Sequence, residues 1–418
     1  MQAGLLDADV LRGEVKALRI LSRRCAHVAR IVHHGFVELT SRTSVMDAAT
    51  ASTTDYVALV TEISEIGSLD SFTSMQMQLS PLSSSASTAA QSLRGFSTVD
   101  LQSICVQLIE GLIVCHELNV RHRDIRPQNI LVCRCADDSY SRQFSRGLVL
   151  KYSNFTPVAL LPLCAADGPV TLQEPDRWCA PEVDRDARRN GQRFQACSDV
   201  WSLGLTIYYI ASGGQLPFES FKQACDAAVN PDYRRQCLEK HGLHQRLPML
   251  HDLVERLVRP AYMRTDLQII RCHPFLWSTQ CRRSMLASFA SAVAVRDNEA
   301  ISSFVAGINK ISPLYVFGQE GWVAAMAPFL LELVPQKIKA EHWWSGAHLL
   351  QAIQTQLQSP ELLQEAAYPR LSALQSVYAC IRQITESDFP RLLVLLYELG
   401  GIHGKWVWDG DEIMHSWN

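Results

Sequence analysis

An α+β fold in two parts, mixed at the front and all-helical behind, is the architecture that the sequence predicts, and three observations predict it. Apolar residues recur at helical spacing through residues 4–22 (Leu5, Leu6, Val10, Leu11, Val15, Leu18, Leu21) and again through 99–118 (Leu101, Ile104, Cys105, Leu108, Leu112, Cys115). Between them the apolar run Tyr56-Val-Ala-Leu-Val60 reads as a buried strand that enters a polar hinge. Beyond residue 277 the spacing is helical alone, as at Met285, Phe289 and Val293.

A chain of 418 residues divides into about two or three domains, since one core rarely grows past roughly 250–300 residues. Its 47% hydrophobic and 19% charged content is globular. The formal net charge of -3 excludes a strongly nucleic-acid-seeking surface over the whole chain and leaves room for a local basic patch. The 13 cysteines are scattered, with Cys133 and Cys135 the nearest pair. They lack C-x-x-C zinc spacing and read as buried reduced thiols. No apolar run reaches the roughly 18–20 residues of a bilayer span and no signal pattern opens the chain, so a soluble protein in a reducing compartment is expected. Between Ser71 and Ser97 the composition turns to Ser, Ala and Gln, which predicts a flexible insertion. Asp100 stands in the first turn of the helix that follows, where a negative charge suits the helix dipole.

That helix delivers the chain to Val120-Arg-His-Arg-Asp-Ile-Arg-Pro-Gln-Asn-Ile-Leu-Val132, in which His122, Arg123, Asp124 and Asn129 hold the spacing H-R-D-x-x-x-x-N. The stretch resembles the catalytic loop of the eukaryotic protein kinases. The resemblance implies that Asp124 accepts the substrate hydroxyl proton, that Asn129 holds magnesium, and that Arg126 lies near the transferred phosphoryl group, where serine/threonine kinases usually have lysine. It also implies an ATP site: Thr61 would limit the depth of the adenine pocket, Glu62, Ile63 and Ser64 would offer backbone groups to the base, and Leu131 would contact the nucleotide.

Further segments follow in the family's order. Asn154, Phe155 and Thr156 stand where the family has D-F-G. Magnesium prefers charged oxygen ligands, so the neutral carbonyl of Asn154 predicts weak metal binding, and Thr156 lacks the conformational freedom of glycine. Pro157 to Cys179 offers only Thr171 as a hydroxyl for control by phosphorylation. Ala180, Pro181 and Glu182 match A-P-E, Asp199 matches the aspartate that braces the catalytic loop, and Arg264 the arginine that pairs with the A-P-E glutamate. His122 and Arg123 join these as scaffold residues. Glu14 aligns with the helix-C glutamate, but its lysine partner and the Gly-rich loop have no place in a chain that opens on this helix. Either the true start lies upstream or the small lobe has lost its roof; without its partner Glu14 is an exposed charge.

The second half narrows the resemblance. Thr206 to Phe218, and above all His273-Pro-Phe-Leu-Trp-Ser278, look like the inositol-requiring kinase/endoribonuclease of the unfolded protein response and ribonuclease L. Trp322 and Ser387 to Leu393 resemble later segments of that family. The resemblance implies a protein kinase-like fold with a truncated small lobe (1–66), a large lobe (67–276) carrying the insertion at 71–97, and an all-α kinase-extension nuclease-like domain (277–418). Gln354 and Thr355 stand at the family's arginine-asparagine pair and Ser359 at its histidine. None of the three is a general base near neutral pH or a cation, which predicts no nuclease activity; His342 or His348 is the remaining substitute.

Two readings therefore stay open. One is a pseudokinase regulatory protein, cytoplasmic or brought to the ER surface by a partner, that pairs with itself or with an active relative and has no membrane segment of its own. The other is an active ATP- and magnesium-dependent serine/threonine kinase whose gene model begins too late. A third, an RNA-cleaving enzyme, fits least.

Overall fold

The structure, a computed structural model, describes residues 15–16, 18–41, 52–79, 95–135, 147–155, 176–183 and 195–295, with 306, 349–350, 353 and 381–396 further on. The chain divides into two compact units, Met1–Leu243 with Val254–Arg271 and His244–Leu253 with Cys272–Asn418. Glu14, Thr156, Trp322, His342, His348, Gln354, Thr355 and Ser359 lie outside the described residues.

In the first unit, β1 (Ile31–Ser41) and β2 (Ser52–Thr61) pair antiparallel as a two-stranded sheet, with Ile31 opposite Thr61. Residues 62–66 then lead into β3 (Gly67–Ser68), which pairs with β4 (Ile130–Arg134), itself paired with β5 (Leu148–Tyr152), all antiparallel. The hinge expected after β2 thus runs from one sheet to the other.

The helix Thr98–Glu117 is the central helix of the β3–β5 region of the first unit. A capping box starts it: Ser97 Oγ accepts from the Asp100 N–H at 3.1 Å, and the Asp100 carboxylate accepts from the Ser97 N–H at 3.1 Å. The helix is buried on most of its surface, and its polar groups serve β5. Gln107 Oε1 accepts from the Leu150 N–H at 2.8 Å, while its Nε2 donates to the Leu148 carbonyl at 3.2 Å. At Gly111 a Cβ would lie 2.8 Å from His27 Cβ and 3.0 Å from the Tyr152 ring, so only glycine allows this approach. Tyr152 is buried and donates its hydroxyl to the Leu108 carbonyl at 2.8 Å.

Two expectations change here. The helix Thr98–Glu117 is long and apolar enough by composition to cross a membrane, with a window of mean hydropathy 1.5. Interspersed Gln, Ser and Glu keep it from reading as one apolar run, and 61% of that window is buried, as in a core helix. The second change concerns residues 71–79, expected to be flexible, which belong to the helix Leu69–Leu79. Leu69, Phe72 and Thr73 are buried, Phe72 packing 5.6 Å from Phe96, so an apolar stripe outweighs the serine-rich composition.

In the second unit, His273 caps the turn Pro274–Leu276: its Nδ1 accepts from the Phe275 N–H at 3.2 Å and its Nε2 donates to Asp252 at 2.8 Å. Trp277 is fully buried and donates to the Cys272 carbonyl at 2.9 Å. On the helix Thr279–Val295, Arg282 is 2% exposed and donates to Glu386 at 2.6 Å and to Thr385 at 3.4 Å. Removing one partner of a buried pair leaves a charge without compensation. Glu386→Ala is expected to cost about 3–5 kcal/mol, and Arg282→Met with Glu386→Ala distinctly less than the two single changes added. Urea unfolding curves of the three variants check this.

Candidate active site

The loop 121–129 is built around a buried carboxylate. Asp199, in the first turn of the helix Ala196–Ala211, is 1% exposed. Its Oδ1 accepts from the Arg123 N–H at 2.8 Å, and its Oδ2 accepts from the His122 N–H at 2.9 Å and from His116 Nε2 at 3.1 Å. Burial alone would raise the Asp199 pKa, but the hydrogen bond and charge of His116, with smaller help from His122 and the Arg123 N–H, outweigh it and hold the carboxyl below its ordinary value. The grip holds Arg123 at φ +70°, a left-handed backbone that a non-glycine residue rarely adopts.

His122 is fully buried. Its Nε2 faces the Ser153 carbonyl at 3.0 Å and must carry the proton there, which leaves Nδ1 to accept from the Asp124 N–H at 3.3 Å. Burial pushes its pKa down, against the raising effect of Asp199 and Asp124, and keeps the ring neutral. The ring packs 4.5 Å from Phe155 and 5.5 Å from Tyr152, which ties the loop to the end of β5.

On this frame Asp124, Asn129, Asn154 and Arg126 converge. Arg126 donates to Asp124 Oδ1 through Nε and Nη2, both at 2.5 Å, and Nη2 also meets Asp176 at 2.7 Å. Burial of the guanidinium is outweighed by Asp124 and Asp176, which raise its pKa. Asp124 Oδ2 accepts from Asn129 Nδ2 at 2.7 Å, and that nitrogen also donates to the Asp124 carbonyl at 2.9 Å. The remaining group of Asn129, Oδ1, accepts from Asn154 Nδ2 at 3.1 Å. This orientation follows from the network: a carboxylate pins the Asn129 nitrogen, so Asn129 Oδ1 faces Asn154 and requires its amide nitrogen. Asn154 sits at φ +59°, a region asparagine tolerates better than most residues.

The hinge residues are placed as follows. Glu62 donates its N–H to the Arg30 carbonyl at 2.9 Å, and its carboxylate accepts from Lys151 Nζ at 2.8 Å and 2.9 Å. Ile63 is 85% exposed. Ser64 Oγ accepts from the Gly67 N–H at 2.8 Å and donates to the Val132 carbonyl, stitching the hinge to β4. Leu131 is half-buried and pairs directly with Lys151, so the two share one face of the sheet. Thr61 is half-buried at the end of β2.

Farther along, Arg264 is 1% exposed and grips Glu182 with its two terminal nitrogens at 2.6 Å and 3.2 Å. Its Nε donates to the Arg259 carbonyl at 3.0 Å, and its guanidinium lies 5.3 Å from the Trp201 ring centre. The structure thus brings together Glu182 with Arg264, Asp199 with the His122–Arg123 backbone, and Asp124 with Arg126 and Asn129. The sequence left Asp176, Lys151, His116 and Ser153 unremarked. Each meets its partner only through the tertiary fold, and no local spacing marks it.

The loop, its brace and the Glu182–Arg264 pair define a protein kinase fold. The protein kinase domain family matches residues 25–276, well over half of the chain, and the chain belongs to that family. It is similar to the serine/threonine-protein kinase/endoribonuclease IRE1a of Arabidopsis thaliana, 24% identical over 301 residues, 71% of this chain and 32% of the relative. It is also similar to the serine/threonine-protein kinase/endoribonuclease ire-1 of Caenorhabditis elegans, 25% identical over 303 residues, 72% of this chain and 29% of the relative. A third relative, the sensor for unfolded proteins in the ER of Schizosaccharomyces pombe, is 22% identical over 255 residues, 57% of this chain and 23% of the relative. The chain is thus a kinase domain related to the kinase/endoribonucleases, and it spans no more than about a third of their length.

Proposed function

We propose that the chain is a regulatory module of the unfolded-protein-response kinase/endoribonuclease type whose own phosphoryl transfer is weak or absent. The contact between Asn154 Nδ2 and Asn129 Oδ1 carries this reading. Kinases of this family use magnesium with ATP, and magnesium takes hard, mostly anionic oxygen ligands. Here the Asn129 oxygen is occupied by an amide N–H, and Asn154 turns a nitrogen toward the place where an aspartate would offer negative charge. The one carboxylate of the trio, Asp124, is held by Arg126 and Asn129. These residues do not fit a magnesium ion. What the loop does supply is a rigid, neutral His122 and a closed set of hydrogen bonds, suited to holding a surface in shape.

A second reading, an ATP-dependent serine/threonine kinase, is favoured by one observation: Asp124 remains 29% exposed and within reach of solvent. A transfer assay with radiolabelled ATP, magnesium and manganese separates the two. The purified chain is expected to label neither itself nor a generic protein substrate above background. Labelling that disappears in Asp124→Asn would establish the kinase instead.

The regulatory reading extends to the second half, where Gln354, Thr355 and Ser359 replace a charged and a proton-moving set, so no RNA cleavage is expected. Its partners are a second copy or an active relative, met in the cytoplasm or at the ER surface.

A further inference from the structure

One face of the first unit carries a cluster of arginines whose guanidiniums meet no carboxylate among the described residues. Between Glu14 and Glu38 the sequence holds Lys16, Arg19, Arg23, Arg24 and Arg30 and not one aspartate or glutamate. The four arginines are exposed, at the end of the first helix and at the entry to β1. Among the described residues none of their guanidiniums makes an ion pair. Glu62 lies beside Arg30, yet its carboxylate accepts from the Arg30 backbone N–H at 2.7 Å and from Lys151 at 2.8 Å, not from the guanidinium.

The surface there is concave. Arg19, Ser22, Arg23 and Arg30 line a cavity of about 380 Å³ together with Ile31, Val32 and His33, and Arg19, Ile20, Arg23 and Arg24 line an adjoining one of about 600 Å³. Arginine presents a planar fork that matches carboxylate and phosphate oxygens two at a time. Clustered like charges raise the local potential, and an anion seated among them relieves their repulsion. Ile20 is 37% and Val32 60% exposed, so the anion site is bordered by aliphatic surface. Among the described residues neither cavity is lined by Phe, Tyr or Trp, and one ring, that of His33, is a poor platform for a run of stacked bases. A second copy that met it through the same face would be repelled.

We propose that this face docks an acidic segment of a protein partner, one in which carboxylate or phosphate side chains alternate with aliphatic ones. The proposal rests on no property of the nucleotide cleft, so it stands or falls apart from the regulatory reading above.

Fluorescence anisotropy of the whole chain tests it, with labelled short peptides that alternate glutamate and leucine, phosphoserine and leucine, or lysine and leucine. A single-stranded RNA oligonucleotide and phosphatidylserine vesicles complete the set. At low salt one or both acidic peptides are expected to bind, the lysine peptide not at all, and affinity should fall as salt rises. Arg23→Glu with Arg30→Glu should weaken the acidic peptides by about tenfold or more. Lys222→Glu with Arg235→Glu, an equal charge change elsewhere on the surface, should leave them bound, and unchanged melting temperatures show that the variants are folded. Tighter binding of the phosphoserine peptide marks phosphate as the occupant, and equal binding marks carboxylates; either supports the site. Failure of both acidic peptides to bind overturns the proposal, as does binding that survives Arg23→Glu with Arg30→Glu. Tighter binding of RNA or vesicles than of either peptide also overturns it.

Discussion

Asp199→Ala is expected to lower the stability of the kinase-fold unit by about 3–5 kcal/mol. The substitution leaves three donors facing an empty space: the N–H groups of His122 and Arg123 and the ring of His116. All three converge on a carboxylate that is 1% exposed, so water does not replace it without opening the loop. Arg123 at φ +70° then loses the contact that holds it in a costly backbone conformation. A loss of this size is a large share of the roughly 5–15 kcal/mol that an ordinary domain has in total. Urea unfolding followed by tryptophan fluorescence measures it, and a loss under about 1 kcal/mol would contradict the role of Asp199 as brace.

The same carboxylate sets a pH dependence. Its folded pKa lies below the ordinary value of 3.8, so its contribution is full above that value and is lost as pH falls through the folded pKa. His122, with a folded pKa below 6.5, adds a decline that starts higher: below 6.5 the unfolded ring takes up a proton that the buried ring resists. Melting temperature is therefore expected to fall in two stages on acidification, with the lower stage absent in Asp199→Ala.

Glu182→Ala is expected to cost about 3–5 kcal/mol. It strands the Arg264 guanidinium, 1% exposed, with only backbone carbonyls and the Trp201 ring beside it. Arg264→Ala should cost a similar amount, because Glu182, 14% exposed, then loses its bidentate partner. In Arg264→Lys a point charge replaces the fork and cannot reach both carboxylate oxygens and the Arg259 carbonyl, so an intermediate loss is expected. The double change to alanine should cost clearly less than the two single ones added, since the single changes each count the same broken pair. Strict additivity in a double-mutant cycle would show that the pair contributes nothing as a pair.

Both effects concern the scaffold, and the scaffold was the legible part. Asp124 and Asn129 stand five residues apart on one loop, and their contact at 2.7 Å is what that spacing implies. Glu182 and Arg264 are 82 residues apart, and only likeness to a family paired them before the fold did. Asp176, His116 and Lys151 escaped for the opposite reason: each is an ordinary polar residue in sequence, made important by an approach across the fold. The helix Leu69–Leu79 escaped because the serine-rich composition of 71–97 hides the short apolar stripe of Leu69 and Phe72, which the fold buries. Asn154 was legible as a missing charge. That its amide nitrogen also donates to the oxygen of Asn129 depends on geometry that no local spacing marks.

Thermal denaturation with ATP, titrated with and without magnesium, measures whether the loop with Asn129 and Asn154 holds a metal-bound nucleotide. A ligand present at a hundred times its Kd stabilises the folded state by about 2.7 kcal/mol, which is readily seen. The wild-type chain is expected to show no magnesium-dependent shift, whereas Asn154→Asp, which restores a carboxylate and frees the Asn129 oxygen, should gain one. A tight, magnesium-dependent shift in the wild-type chain would show instead that Asn129 and Asn154 still hold the metal.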